Sequence, residues 1–187
     1  MKNTILILFS IFGLFFVTSC KENEARRPVS RATGTFLKES VERNIKLNLL
    51  EEKLIDSIIK SQPEKEFLTS DMGYWYYYNH QNTQDTLRPQ RGDIAYFTYD
   101  VSDLKGNIIY TESELKNQTY LVDKQNIMTG LRDGIKRMRK NETITFYFPS
   151  HIAYGYHGDK HKIGTNIPLI CRVTLHDFKK ENETVQQ

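Results

Sequence analysis

Apolar residues recur at mostly four-residue steps over residues 36–61, with charged residues between them. The recurring positions are Leu37, Val41, Ile45, Leu50, Leu54 and Ile58, and Ile55 and Ile59 widen the stripe. This spacing predicts an amphipathic helix over 36–61, and Gln62-Pro63 marks its end. An apolar stripe this broad is expected to be buried against the rest of the chain, against a second copy of it, or against another protein.

Beyond residue 72 the pattern changes to short segments in which apolar and polar residues alternate. Aromatic and β-branched residues predict strands at 73–79, 94–101, 108–112, 119–122, 143–148 and 169–175. A short helix is predicted over 131–138, where Leu131, Ile135 and Met138 share one face. Turns separate most of the strands, which favours an antiparallel sheet. The predicted fold is therefore α+β, a curved antiparallel sheet wrapped around one short helix and preceded by an amphipathic helix.

The first 35 residues carry signals for export. Lys2 precedes an apolar run over residues 5–16, which is shorter than the ~20 residues that a transmembrane helix needs. The sequence Val-Thr-Ser-Cys that ends at Cys20 resembles the bacterial lipobox. The resemblance implies a signal peptide over 1–19 and a lipid on Cys20, and an ordinary secretory signal is the alternative. Residues 20–35 are polar and predict a flexible, lipidated tether.

Composition and charge narrow the function classes. The chain has 26 basic and 23 acidic residues, a net charge of +3, and no basic stripe interleaved with aromatic residues, so nucleic acid is not a predicted partner. Hydrophobic residues make up 39% of the chain, which favours a packed globule. If Cys20 is acylated, Cys171 is the only remaining thiol, and the fold depends on its core rather than on a disulfide.

The most informative segment is GLRDGIKRMRKNETITFYFPSHIAYG, which runs from Gly130 to Gly155. It combines a short helix, a tight turn, a strand and a long loop that carries Tyr154. With the sequence QNIMTGL before the helix, it resembles the FKBP-type peptidyl-prolyl isomerases, and the resemblance extends over most of 92–180. It implies an isomerase domain over 72–180, proline-containing polypeptides as substrates, and neither a cofactor nor a metal. Residues 181–187 are then a polar tail.

Proline isomerisation makes modest chemical demands. The barrier is ~18–20 kcal/mol because the amide must twist out of conjugation. Uncatalysed X–Pro exchange therefore takes about 10–100 s. A dry, shaped cavity accelerates the exchange if it binds the twisted amide better than the planar one. Such a cavity calls for apolar walls and one or two hydrogen-bond donors.

The resemblance assigns these parts to individual residues. Tyr99 is a wall tyrosine, and the Met128 backbone N–H donates to the peptide carbonyl. Leu131 forms the floor, where many family members have tryptophan, and the Tyr154 hydroxyl binds a substrate carbonyl. The predicted catalytic residues are Tyr99, Ile127, Met128, Leu131, Tyr154 and Ile163.

Four further positions are predicted to contact substrate, and they depart from the family pattern. They are Ile109, Tyr110, Tyr120 and Cys171. Ile109-Tyr110 stands where the family has Phe-Asp, so the acidic partner is missing unless Glu112 substitutes for it. Tyr120 is the candidate replacement for a wall aromatic that falls near Gln118. Cys171 occupies a position that is usually aromatic, and the simpler interpretation is a small buried hydrophobe.

One loop gathers His151, His157, His161 and Asp159. Imidazole and carboxylate groups bind transition metals. No helix or hairpin fixes the geometry of these residues, so a solvated loop is expected and no metal site is predicted.

The leading hypothesis is therefore a lipid-anchored prolyl isomerase of the cell envelope, which faces the periplasm or the exterior. Its overall plan is similar to that of the gliding-motility-associated isomerase lipoproteins of Bacteroidetes, which implies a role in folding envelope proteins. The helix at 36–61 offers a surface for a partner or for self-association. A non-catalytic peptide-binding module is the alternative, because the pocket positions are altered. A structural subunit of an envelope complex is the third possibility.

Overall fold

A computed structural model describes residues 34–180 of the chain. The predicted signal peptide, Cys20 and its predicted lipid, most of the predicted tether, and the tail at 181–187 lie outside the described residues. One unit of the chain ends at Glu39 and a second begins at Ser40, and every contact discussed below lies within residues 40–180 of the second unit.

The described residues form three α-helices and seven strands, which confirms the α+β fold. The helices are α1 (Gly34–Lys60), α2 (Glu112–Leu115) and α3 (Thr129–Arg137), and a 3₁₀ turn spans Gly155–His157. The strands are β1 (Leu68–Thr69), β2 (Trp75–His80), β3 (Asp93–Asp103), β4 (Ile108–Tyr110), β5 (Gln118–Leu121), β6 (Thr143–Phe148) and β7 (Leu169–Lys180).

The strands build one antiparallel sheet in the order β1-β2-β6-β7-β3-β4. The short strand β5 also pairs with β3. Strand β3 pairs with β7 along its whole length, from Asp93 to Asp103. Its pairing places Val101 between Tyr110 of β4 and Cys171 of β7.

The alternation in β3 and β6 determines which side chains form the core. Ala95, Phe97 and Val101 of β3 are buried, and Ile144 and Phe148 of β6 are fully buried. The outward face of β6 is also covered, because the ring of Phe67 packs edge-on against Tyr147 with centroids 5.4 Å apart.

Helix α3 lies unusually close to the sheet because two of its residues have no side chain. A Cβ at Gly130 would lie 2.5 Å from the ring of Phe148, and a Cβ at Gly134 would lie 2.9 Å from the ring of Phe146. The two glycines of the GLRDG sequence therefore set the distance between the helix and the sheet.

Helix α1 forms as predicted, but most of its apolar stripe is not covered. Ile55 is fully buried, and Glu51 is only 3% exposed. Six apolar residues of the helix remain between 50% and 58% exposed, whereas Ile58 and Ile59 are partly buried; the six are Leu37, Val41, Ile45, Leu49, Leu50 and Leu54. The helix thus packs on the rest of residues 40–180 through a face that contains a carboxylate.

Candidate active site

All ten predicted site residues belong to, or pack against, one hydrophobic cluster. Five of them are only partly buried and reach the surface: Tyr99, Ile109, Tyr110, Ile127 and Tyr154. The other five are buried: Tyr120, Met128, Leu131, Ile163 and Cys171. The structure therefore gives an apolar and aromatic rim over a closely packed floor.

Strand register brings the tyrosines of the rim together. Tyr99 and Val101 are two residues apart on β3, so their side chains point to the same face. Val101 pairs with Tyr110 on one side and with Cys171 on the other. Residues opposite each other in antiparallel strands share a face, so the register brings Tyr110 next to the wall that Tyr99 forms.

Tyr154 approaches this wall from the loop after β6, directly before the 3₁₀ turn. Burial raises the pKa of both Tyr99 and Tyr154 above the ordinary tyrosine value. The neighbouring Tyr154 hydroxyl adds to the rise in the pKa of Tyr99, so the two phenol groups lie close to each other at the rim.

Met128 begins helix α3 as its N-cap residue. The Gly130 amide donates to the Ile152 carbonyl at 2.9 Å, whereas no residue among 34–180 accepts a hydrogen bond from the Met128 amide. The N-terminal end of a helix carries a partial positive charge, which favours a carbonyl oxygen nearby. A backbone donor without an internal partner thus borders the apolar cluster.

A carboxylate does occur beside Tyr110, and it comes from Asp159 rather than from Glu112. The Tyr110 hydroxyl donates to Asp159, whose other oxygen accepts the backbone N–H groups of His161 and Ile163, each at 2.8 Å. The hydrogen bond to Asp159 and then burial raise the pKa of Tyr110. Burial opposes ionisation of Asp159, but the hydrogen bonds outweigh it and lower its pKa. Sequence reasoning noted Asp159 only as a possible metal ligand.

Tyr120 and Cys171 support the site from below. Both side chains are fully buried, and the Tyr120 hydroxyl accepts the backbone N–H of Asp123 at 2.9 Å. Burial raises the pKa of the Cys171 thiol far above its usual value. Either residue touches a substrate only if the side chains above it move, so their role in binding stays a prediction.

The loop histidines are not gathered around a metal. Within residues 34–180, no group of three or more His, Cys, Asp or Glu side chains is arranged to hold a metal ion. Two hollows lie away from the tyrosine cluster, one of about 440 Å³ beside Lys65 and Tyr77 and one of about 490 Å³ beside Thr98 and Lys116. The tyrosine cluster itself offers apolar walls and hydroxyl groups.

Residues 85–176 match the family described as FKBP-type peptidyl-prolyl cis-trans isomerase. This part of the chain is an FKBP-type domain. It is 26% identical over 88 residues to the probable FKBP-type peptidyl-prolyl cis-trans isomerase FkpA of Neisseria meningitidis serogroup B. That alignment covers 47% of this chain and 32% of the relative, so the chain spans about a third of the length of that curated relative.

Two solved structures are similar to this chain in fold. A peptidyl-prolyl cis-trans isomerase of Pseudomonas syringae pv. tomato has a TM-score of 0.58 at 15% identity, with 72% of this chain and 95% of that chain covered. FkpA of Escherichia coli has a TM-score of 0.59 at 19% identity, with 95% of this chain and 83% of that chain covered. At these identities the likeness is one of fold.

Proposed function

We propose that this chain catalyses cis-trans isomerisation of X–Pro bonds in polypeptides through the cleft between Tyr99, Met128 and Tyr154. The observation that carries the proposal is that Tyr99, Met128 and Tyr154 belong to, or pack against, one hydrophobic cluster within an FKBP-type domain. Two of them offer neutral donors: the Met128 amide, which has no acceptor within residues 34–180, and the Tyr154 hydroxyl.

The catalytic step needs only differential binding. The side chains of Tyr99, Ile127 and Tyr154 contact the proline ring. The buried side chains of Leu131 and Ile163 exclude water from the space beneath it. The Met128 N–H and the Tyr154 hydroxyl donate to carbonyl oxygens of the bound peptide. Rotation removes the charge-separated resonance of the amide, so a water-poor cleft favours the twisted form. Donors that hold the peptide in the twisted geometry lower the barrier further.

The cleft is nearly filled, which also favours a second candidate function. Met128 is 7% exposed, and Leu131 and Ile163 are each 3% exposed, so a proline ring has little depth to enter. A module of this shape grips extended peptides without accelerating their isomerisation. Turnover of a proline peptide separates the two functions, because only the enzyme shortens the exchange time.

The proposal extends to the location of the protein. Acylation of Cys20 would anchor the chain to the cell envelope, where secreted chains fold, and gliding-motility components are one candidate set of substrates. Two or more acyl chains give a stable anchor, since each buried methylene contributes about 0.8 kcal/mol.

The exposed apolar positions of α1 support self-association or binding of a partner. No helix within residues 34–180 is long and apolar enough to cross a bilayer. Mass spectrometry of the membrane fraction tests the lipid.

The activity is tested on the full chain in detergent micelles, with cis-trans exchange of a short proline peptide followed by NMR. We expect acceleration by the wild type, and a loss of about three- to tenfold in kcat/KM for Tyr154→Phe, since one hydrogen bond is worth about 0.5–1.5 kcal/mol. Tyr156→Phe is the matched control, because Tyr156 lies in the same turn but is 74% exposed. Equal losses in both variants, or no acceleration by the wild type, contradict the proposal.

A further inference from the structure

Glu51 of helix α1 is a buried carboxylate that binds the loop after β6. Its two oxygens accept hydrogen bonds from the backbone N–H and the hydroxyl of Ser150, at 2.7 and 2.8 Å. Glu51 is 3% exposed and Ser150 is 1% exposed. Burial of a carboxylate is costly unless hydrogen bonds replace its water, so this contact specifies where the helix meets the loop.

Ser150 is also the anchor of the turn that carries Tyr154. Its carbonyl accepts the N–H groups of Ala153 and Gly155, at 3.1 and 2.8 Å. These two residues flank Tyr154 in the chain. The Gly155 carbonyl in turn accepts the Asn166 amide at 2.9 Å. All polar groups of Ser150 are thus engaged, two by Glu51 and one by the turn.

A hollow of about 270 Å³ lies between α1 and this turn, and residues of both line it, among them Leu47, Asn48, His151 and Gly155. Within residues 40–180, the hydrogen bonds between Glu51 and Ser150 are the ones that join the helix to the turn beside this hollow.

We propose that Glu51 is a positioning residue, which holds the Ser150–Gly155 turn so that the Tyr154 hydroxyl stays in the cleft. The inference rests on the proposed function. Helix α1 then contributes to the isomerase site, because a residue 99 positions before Ser150 in sequence holds the turn that carries Tyr154. Misplacement of a catalytic group by about 1 Å costs up to about 10²-fold in rate.

The test compares Glu51→Ala with Glu51→Gln in the full chain. Alanine leaves the buried Ser150 amide without an acceptor, and we expect kcat/KM to fall about tenfold, within the range that such misplacement causes. Glutamine keeps both bonds, since its oxygen accepts the N–H and its amino group donates to the hydroxyl, so kcat/KM should stay within about twofold of wild type. Ile55→Ala is the matched control, because it removes a buried side chain one helical turn away and leaves Ser150 bonded.

A second readout separates positioning from a general loss of stability. In Glu51→Ala, hydrogen exchange at the Gly155 and Asn166 amides should accelerate at least tenfold more than exchange in β6. In Ile55→Ala, the two regions should change together. Wild-type kcat/KM and unchanged exchange at Gly155 in Glu51→Ala overturn the inference and leave the proposed function standing. A wild-type chain without acceleration overturns both.

If Glu51→Ala does not fold, Ser150→Ala decides. It removes only the hydroxyl bond to Glu51, so about a threefold loss of kcat/KM is expected, as one hydrogen bond contributes about 0.5–1.5 kcal/mol. No loss of activity and no faster exchange at Gly155 in this variant overturn the inference.

Discussion

Replacing Gly130 with alanine puts a methyl group where the structure leaves no room. The new Cβ would lie 2.5 Å from two atoms of the Phe148 ring and 2.9 Å from a third. Phe148 cannot yield easily, because it is fully buried, stacked on Phe146 with centroids 5.4 Å apart and edge-on to Tyr74 at 5.1 Å. Either the ring or helix α3 must therefore move.

The magnitude follows from two opposing contributions. Overpacking a filled core costs about 1–3 kcal/mol, and contacts this short put Gly130→Ala at the upper end. Alanine returns about 1 kcal/mol through its better helix propensity. We expect a net loss of about 2 kcal/mol in the free energy of unfolding, which lowers the Tm by about 4–8 °C for a chain of this size. Gly134→Ala should lose less, because its closest ring atom, in Phe146, is 2.9 Å away.

Urea unfolding followed by circular dichroism measures this loss, and Gly164→Ala is the control. A Cβ at Gly164 would meet only Ile167, at 3.8 Å, so its stability should stay within about 0.5 kcal/mol of wild type. Helix α3 also carries Leu131 and begins after Met128, so kcat/KM should fall in Gly130→Ala as well. A Gly130→Ala chain as stable as Gly164→Ala would refute the close packing of α3 on the sheet.

Two further predictions concern titratable groups outside the rim. Burial opposes ionisation of Asp133, but hydrogen bonds from the Tyr74 hydroxyl at 2.6 Å and from Arg137 Nε at 2.9 Å outweigh it and lower its pKa. Because the pKa of Asp133 is lower in the folded chain than the unfolded value of about 3.9, its ionised form stabilises the fold above that pH. This stabilisation is lost as the pH falls through the folded pKa. Asp133→Asn should therefore cost about 1–3 kcal/mol at pH 7 and clearly less at pH 2, and an equal loss at both contradicts the sign. The buried Cys171 thiol, whose pKa is raised, should react with iodoacetamide only after unfolding, and rapid native labelling of its tryptic peptide contradicts its burial.

The sequence predicted the elements whose pattern is repeated along the chain. Alternation over β3 identified that strand, because a strand with one face toward the core imposes a period of two. The same alternation identified β6, although both of its faces are buried. Four-residue spacing likewise identified α1. Helix α2 was missed because four residues are too few for a periodic signal, although Thr111 and Glu114 form a capping box around it.

Contacts between distant segments were not predictable from pattern alone. The stripe of α1 suggested an apolar interface, yet the buried face includes Glu51, a residue type that is rarely buried without a partner. Its partner, Ser150, is 99 positions away. The same holds for Tyr110 and Asp159, which are 49 positions apart. Hydrophobic patterns do not encode which polar groups meet, so both pairs emerged only from the fold.

The central claim is that the cleft at the start of α3 binds an X–Pro peptide and speeds its rotation. The most direct measurement is an NMR titration of the ¹⁵N-labelled full chain with a proline peptide, in which the Met128 amide shift and peptide exchange are recorded together. The claim predicts a downfield shift of the Met128 amide proton and exchange in about 1 s or less, against tens of seconds or more without catalyst. An unmoved Met128 amide, or exchange at the uncatalysed rate in a saturated sample, contradicts it.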